Sequence, residues 1–189
     1  IKKLIIDSPF VKEEGIDEMF PTWTSEERNR LIESVLNFGI PINSYDEQDI
    51  AKLGEVAGID KPPEEIDQYI TYILTNTSKP KLAITASNSI SVMQNLHDIL
   101  KTNLRVQLFQ KIPRWEDLPP KWTPENELDF FEKLEKRGFD ARIDIIKENY
   151  ASCFEGGLPA SITHKSSIFR RINKIHWLWT RIQDVLREK

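Results

Sequence analysis

Cysteine, histidine and long apolar runs are scarce in this 189-residue sequence, and each scarcity excludes a class of protein. The single cysteine, Cys153, excludes an internal disulfide and favours a reducing compartment such as the nucleus or the cytoplasm. No apolar run approaches the roughly 20 residues that span a bilayer, so no membrane partner is predicted. Residues 1 to 4 contain neither Met nor a signal-peptide pattern, and we therefore expect a piece of a longer polypeptide.

Metal-ligand and catalytic motifs are missing as well. The histidines, His97, His164 and His176, do not stand four residues apart, and a single cysteine cannot make a zinc-ligand pair. The sequence contains no P-loop, no nucleophile elbow and no glycine-rich dinucleotide turn. We therefore expect no catalysis, no metal and no cofactor in this chain.

The residues that are present indicate a folded protein with unevenly distributed charge. Hydrophobic residues make up 39% and charged residues 30% of the chain, which suits one large or two small domains. The net charge is −4, yet residues 163 to 189 hold seven Lys or Arg against two acidic residues. Because the acidic remainder repels nucleic acid, any polyanion contact is predicted to lie in this last segment.

The pattern Trp-Thr-x-Glu occurs twice, at residues 23 to 26 and 122 to 125. Each copy begins an amphipathic segment that stops at a glycine, Gly39 or Gly138. The Thr can accept hydrogen bonds from the free amides of the first helical turn, and the glycines suit left-handed helix ends. A Trp just before such a helix is typical of a plug for a small helical core, so we expect two three-helix units.

These patterns predict an all-α fold with four parts. The predicted parts are an N-terminal arm at residues 1 to 22, a three-helix unit at 23 to 80, a spacer helix with a Pro-rich strap at 81 to 121, and a second unit with a long C-terminal helix at 122 to 189. The individual helices are predicted at residues 25 to 38, 46 to 53, 63 to 76, 85 to 109, 124 to 137, 140 to 152 and 163 to 188.

Two segments have a distinct predicted role in packing. The prolines of residues 112 to 120 break the helical hydrogen-bond ladder, which predicts an extended strap that Trp115 and Leu118 pin to the surface. Apolar residues recur at steps of three and four along the last helix, which predicts a seam packed on its own domain. The seam comprises Ile168, Ile172, Ile175, Trp179, Ile182 and Leu186.

The motifs of the second half resemble the SLIDE module of CHD-type and ISWI-type chromatin-remodelling ATPases. The residues that carry the resemblance are 122 to 125 (Trp-Thr-Pro-Glu), 134 to 139 (Leu-Glu-Lys-Arg-Gly-Phe) and the helix start at 162 to 172. In the first half, residues 37 to 41 (Asn-Phe-Gly-Ile-Pro) are similar to the SANT-like domain of CHD-type remodellers. The resemblance covers residues 23 to 189 and implies two SANT/Myb-like units, with an ATPase domain that uses ATP and Mg outside this chain.

The first unit departs from DNA-binding Myb repeats at its third helix. In such repeats this helix enters the major groove with basic and amide side chains. Residues 63 to 76 instead offer Glu64, Glu65 and Asp67, with no Lys or Arg. DNA binding is therefore expected only of the second unit.

One predicted binding surface is apolar. A hydrophobic segment of a partner is expected to lie along the spacer helix and the strap, with four side chains as anchors, unless the N-terminal arm fills that groove itself. The anchors are Met93, Leu100, Trp115 and Leu118.

A second predicted surface lies on the C-terminal helix. Arg170, Lys174, Trp177 and Arg181 share one face, and Arg171 is a further candidate for polyanion contact. One interpretation packs Trp177 beneath the strap or the arm with an arginine stacked on it. The other makes this face a docking stripe for an acidic or aromatic partner segment or for linker DNA.

The resemblance implies a non-catalytic, nuclear protein-interaction module. It would anchor a CHD-type remodeller to a partner subunit of a repressive complex that contains histone deacetylase, and so serve transcriptional silencing. The alternative is a module that binds linker DNA or nucleosomes through the basic C-terminal helix.

Overall fold

The computed structural model describes residues 19 to 76 and 78 to 188, with side chains up to residue 184. Within these ranges the chain is helical, with nine α-helices, two short 3-10 helices and no strand, which confirms the all-α class. Two compact units divide within one long helix, unit 1 ending at Ser91 and unit 2 beginning at Val92. Leu186, predicted for the seam, lies outside the described side chains.

The α-helices are, in chain order, α1 Ser25–Phe38, α2 Ile50–Ala57, α3 Pro63–Thr75, α4 Pro80–Lys101, α5 Arg105–Lys111, α6 Pro124–Arg137, α7 Arg142–Asn149, α8 Ala160–Thr163 and α9 Lys165–Glu188. The 3-10 helices, Phe139–Ala141 and Ala151–Phe154, flank α7.

Both Trp-Thr-x-Glu segments begin a helix, as predicted. Thr24 Oγ1 accepts from the amide of Glu27 at 3.1 Å, and Thr123 Oγ1 accepts from the amide of Asn126 at 3.1 Å. Each partner's side chain accepts a bond from the Thr amide in return, which completes a capping box. The Glu of each Trp-Thr-x-Glu segment does not bond to the Thr, because it occupies the second helical position. The residue after it, Glu27 or Asn126, occupies the third position and makes these bonds.

The glycines that end α1 and α6 have positive φ, but not the predicted left-handed helical conformation. Gly39 lies at φ 64 and ψ −142, and Gly138 at φ 88 and ψ 163. That region is essentially restricted to glycine, so the residue type is still explained by backbone conformation. The left-handed helical conformation is found instead at Gly58 after α2, at φ 69 and ψ 37.

Three predicted helices have wrong bounds. The one predicted at residues 140 to 152 is α-helical only over Arg142–Asn149, because short 3-10 helices stand on either side. Helix α2 begins at Ile50 and not at residue 46, because Asp49 Oδ1 caps its first turn by accepting from the amide of Lys52 at 2.9 Å. The helix predicted at residues 85 to 109 is instead two helices, α4 and α5. Thr102 forms the turn between them, since its carbonyl accepts from the amide of Arg105 at 3.3 Å.

The core of unit 1 lies among α1, α2, α3 and the first half of α4. Trp23 is buried, as predicted, and stacks on Tyr69 of α3 with 4.9 Å between ring centroids. Ser89 of α4 donates to the carbonyl of Leu36 at 3.0 Å, and Ala86 is buried in the same cluster. Helix α4 is therefore a fourth helix of this core and not only a spacer.

The predicted arm falls mostly on residues 1 to 18, which lie outside the described residues. Its last part packs on unit 1: the ring of Phe20 meets Tyr69 and Tyr72 at centroid distances of 5.0 and 5.3 Å. Met19 is exposed.

The core of unit 2 combines the second half of α4 with α5 to α9. Trp122 is buried, as predicted, and its ring lies 5.1 Å from that of Tyr150 and 5.5 Å from that of Phe154. The predicted seam of α9 faces this core through four residues, whereas Ile182 is exposed. The four are Ile168, Ile172, Ile175 and Trp179.

The strap between α5 and α6 is non-helical, as predicted, but it is part of the core and does not only lie on the surface. Trp115 and Leu118 are 7% and 4% exposed. Arg114 Nη2 closes a turn by donating to the carbonyl of Leu118 at 2.7 Å and to that of Pro119. Asp117 lies in this turn at φ 66, a conformation that Asp adopts more readily than most residues.

Candidate functional site

The four predicted apolar anchors fill the core of unit 2. Met93, Trp115 and Leu118 are buried, and Leu100 is half-buried against the same cluster. Trp115 also stacks on Phe131 with 5.9 Å between ring centroids. Because this apolar surface is already used inside the unit, the prediction that these side chains offer open pockets to a partner is corrected.

Arg171, predicted to contact a polyanion, is a buried part of the fold. Its Nε and Nη2 donate to Glu127 Oε1 of α6 at 3.0 and 2.7 Å, and Nη2 also donates to the carbonyl of Pro113 at 2.9 Å. Both side chains of the ion pair are 5% exposed. Burial raises the pKa of Glu127, and the charge of Arg171 opposes that rise. Arg171 therefore ties α9 to α6 and to the strap, and its guanidinium already has partners within the fold.

The other residues predicted on α9 are exposed together. Trp177 is 55% exposed, and the guanidinium of Arg181 lies 4.8 Å from its ring centroid. Arg170 donates to Ser167 Oγ at 3.2 Å. Within the described part of the chain, neither Arg170 nor Lys174 has a carboxylate partner. The predicted arginine stacking on Trp177 is thus present, but on an exposed face. We call Arg170, Lys174, Trp177 and Arg181 the α9 stripe.

A groove of about 460 Å³ lies beside this stripe, between the strap and the first half of α9. Arg114, Arg170 and Lys174 contribute positive charge to its wall, and the exposed Glu116 and Asp117 contribute negative charge. Sequence reasoning missed this groove, because Arg114 stands 56 residues before Arg170 and only the fold brings them to one cavity.

Hydrogen bonds hold the groove in shape. Ser161 Oγ donates to the carbonyl of Glu116 at 3.5 Å, which ties α8 to the strap. Arg142 Nε and Nη2 donate to the carbonyls of Ile162 and Thr163 at 3.1 and 2.8 Å, where α8 ends and the chain turns into α9. Of the exposed charges that line the groove, only Arg114 is bonded to this backbone in the part of the chain that is described, through the carbonyls of Leu118 and Pro119.

The remaining polar clusters of unit 2 are better explained as ties between helices. His97 Nδ1 lies 3.9 Å from Glu135 Oε2, and His176 Nε2 lies 3.4 Å from Asp98 Oδ2. Burial raises the pKa of Glu135. In residues 19 to 76 and 78 to 188, no three His, Cys, Asp or Glu side chains meet in a way that suits a metal ion. No helix there is long and apolar enough to cross a membrane.

The two units differ in charge. Residues 92 to 189 contain 17 Lys or Arg and 14 acidic residues, whereas residues 1 to 91 contain nine Lys or Arg and 16 acidic residues.

Comparisons with protein-family models, with curated proteins and with solved structures found no match for this chain. The α9 stripe and the groove beside it are therefore the surfaces from which a function has to be inferred.

Proposed function

We propose that this chain is a non-catalytic, nuclear interaction module of a CHD-type chromatin remodeller. We further propose that helix α9 anchors the remodeller to a partner subunit of a repressive complex that contains histone deacetylase. The observation that carries the proposal is Trp177, which is 55% exposed although large aromatic side chains are highly buried on average. Trp and Arg are enriched among the residues that contribute most binding energy at protein interfaces.

The geometry of the α9 stripe suits a protein partner. The 12 residues from Arg170 to Arg181 span about 16 Å of helix at the usual rise per residue. Arg181 is already stacked on Trp177, so less side-chain freedom is lost when a partner covers the pair. An aromatic ring between cations is well suited to a partner segment that combines acidic and apolar side chains.

The assignment to a remodeller is supported by the motifs that carry the resemblance. Trp122 plugs the core of unit 2, Gly138 ends α6, and Phe139 is fully buried directly after it. These residues form the framework of a compact helical unit, and the proposal adds to this the similarity of the motifs to the SLIDE module.

Co-purification from nuclear extract tests the proposal. We expect the wild-type chain to recover deacetylase-complex subunits, identified by mass spectrometry, and Trp177→Ala to reduce their recovery at least tenfold, because truncation of a central anchor costs about 2 kcal/mol or more. Val106→Ala is the matched control, since Val106 is another exposed apolar residue of unit 2. Equal recovery by all three proteins would contradict the proposal.

A specific observation favours a second candidate, binding of linker DNA or nucleosomes. Three exposed cations, Arg170, Lys174 and Arg181, lie on one helix face. If all three neutralise phosphates, the logarithm of the affinity for duplex DNA should fall with the logarithm of salt concentration with a slope of about −2.7. Arg170→Glu with Lys174→Glu should then abolish binding in a fluorescence anisotropy assay.

The control for the DNA experiment is Lys136→Glu with Lys147→Glu. Both lysines are exposed cations of unit 2 that do not line the groove. Loss of DNA binding in the control as well would indicate a diffuse effect of net charge and would exclude a defined DNA surface on α9.

A further inference from the structure

The groove between the strap and α9 carries charges of both signs. Arg114, Arg170 and Lys174 line it together with Glu116 and Asp117. All five side chains belong to exposed residues, and none forms an ion pair within the described ranges. Charged side chains that remain unpaired around one concave site are available to an incoming ligand.

The mixed charge discriminates between classes of ligand. A nucleic-acid backbone is uniformly anionic, so the carboxylates of Glu116 and Asp117 would repel phosphates that approach Arg170 or Lys174. A polypeptide can carry both signs and satisfy both sets of charges. The concave shape also suits one extended segment better than the broad surface of a duplex.

The walls of the groove are fixed before any ligand binds. Arg114 is held by the carbonyls of Leu118 and Pro119, which leaves part of its guanidinium free to donate. The floor includes Trp115 and Arg171, both buried in the core of unit 2. A site with such a floor loses little freedom on binding, which favours affinity.

We propose that this groove binds an extended segment of the protein partner in which an acidic residue faces Arg170 and Lys174 and a basic residue faces Glu116 and Asp117. This assignment rests on the proposed function, in which unit 2 anchors a protein. It adds the chemistry of the partner segment and its position next to Trp177.

Nuclear magnetic resonance titration of the whole chain tests the assignment with two probes. The first probe is an octapeptide of two Glu, four Ala and two Lys in that order, and the second is a 20-base-pair DNA duplex. We expect the peptide to shift the backbone signals of residues 114 to 117 and 164 to 174 in a saturable manner. An octapeptide of eight Ala serves as the uncharged control and should shift none of them.

Charge reversal on each side of the groove makes the test sharp. Arg170→Glu with Lys174→Glu should weaken the charged peptide at least tenfold, and Glu116→Lys with Asp117→Lys should weaken it several-fold. For duplex DNA the second pair should instead tighten binding, because two repulsive carboxylates become cations. Lys136→Glu with Lys147→Glu should leave the affinity for the peptide unchanged.

Each outcome decides the question. Weaker peptide binding in both groove variants supports the assignment. Peptide binding that strengthens with Glu116→Lys and Asp117→Lys, DNA shifts without peptide shifts, or no shifts with either probe would overturn it. If the groove fails in this way while Trp177→Ala still reduces recovery of the deacetylase complex at least tenfold, only the groove assignment is lost and the proposed function stands.

Discussion

Replacing Arg171 by Ala should destabilise unit 2 severely, although Arg171 belongs to a row of basic residues on the C-terminal helix. In the folded chain its guanidinium makes two hydrogen bonds to Glu127 Oε1 and one to the carbonyl of Pro113. Both members of the ion pair are 5% exposed, so Glu127 has little access to water that could replace the lost partner. Removing one member of a buried pair leaves an uncompensated charge and costs about 3 to 5 kcal/mol.

Urea denaturation followed by tryptophan fluorescence measures this loss. Four of the five tryptophans lie in unit 2, so the signal reports mainly on that unit. With a slope of about 2 kcal/mol per molar urea, a loss of about 4 kcal/mol lowers the midpoint by about 2 M. The neighbouring Arg170→Ala is the control, and it should change the midpoint little because Arg170 is exposed.

A double variant separates the cost of an unpaired charge from the loss of packing. Arg171→Met with Glu127→Leu removes both charges and keeps apolar volume, so it should regain most of the stability that Arg171→Ala loses. A midpoint for Arg171→Ala within about 0.5 M of the wild type would refute the structural role. Arg171 would then be an ordinary surface cation, open to phosphate after all.

Three further substitutions test the packing of both units and the ionisation of one carboxylate in unit 2. Trp23→Ala and Trp122→Ala should each cost about 3 to 5 kcal/mol through lost burial and a cavity, and near-native melting of either variant would mean that the ring is not a core plug. Burial opposes ionisation of Asp129, but hydrogen bonds from Lys133 and Tyr150 outweigh it and hold its pKa below the ordinary value of 3.8. The stability that this shift contributes is complete above pH 3.8 and is lost as the pH falls through the lower, folded value. Asp129→Asn should therefore make acid unfolding monitored by circular dichroism less steep below that pH, and an unchanged acid transition would contradict this reasoning.

The sequence was most informative where a feature depends on near neighbours. Thr24 and Thr123 cap helices because the acceptor and the free amides are only three residues apart, a relation that spacing reveals. The same logic failed at α2, where both Asp46 and Asp49 are residue types that cap helices. Asp46 lies at φ 61 in the loop enclosed by a β-bridge between Ile42 and Gln48, and Asp49 is the residue directly after that bridge.

Features that depend on distant segments escaped prediction. Arg170 and Arg171 are adjacent and chemically identical, yet one is exposed and the other is buried against Glu127, 44 residues away. Trp115 was predicted to be a surface anchor because it lies in a Pro-rich segment. The structure instead packs it against Phe131 of α6. The groove exists only because the strap is folded against α9, a contact that no local pattern encodes.

Site-specific photo-crosslinking tests the central claim most directly. The photoreactive residue benzoylphenylalanine is introduced at position 177 of this chain in cells, and at position 106 as the control, before irradiation and mass spectrometry. The account predicts that position 177 crosslinks to a protein subunit of a complex containing histone deacetylase, whereas position 106 does not. Crosslinks from position 177 to DNA or histones alone, or to no partner at all, would contradict it.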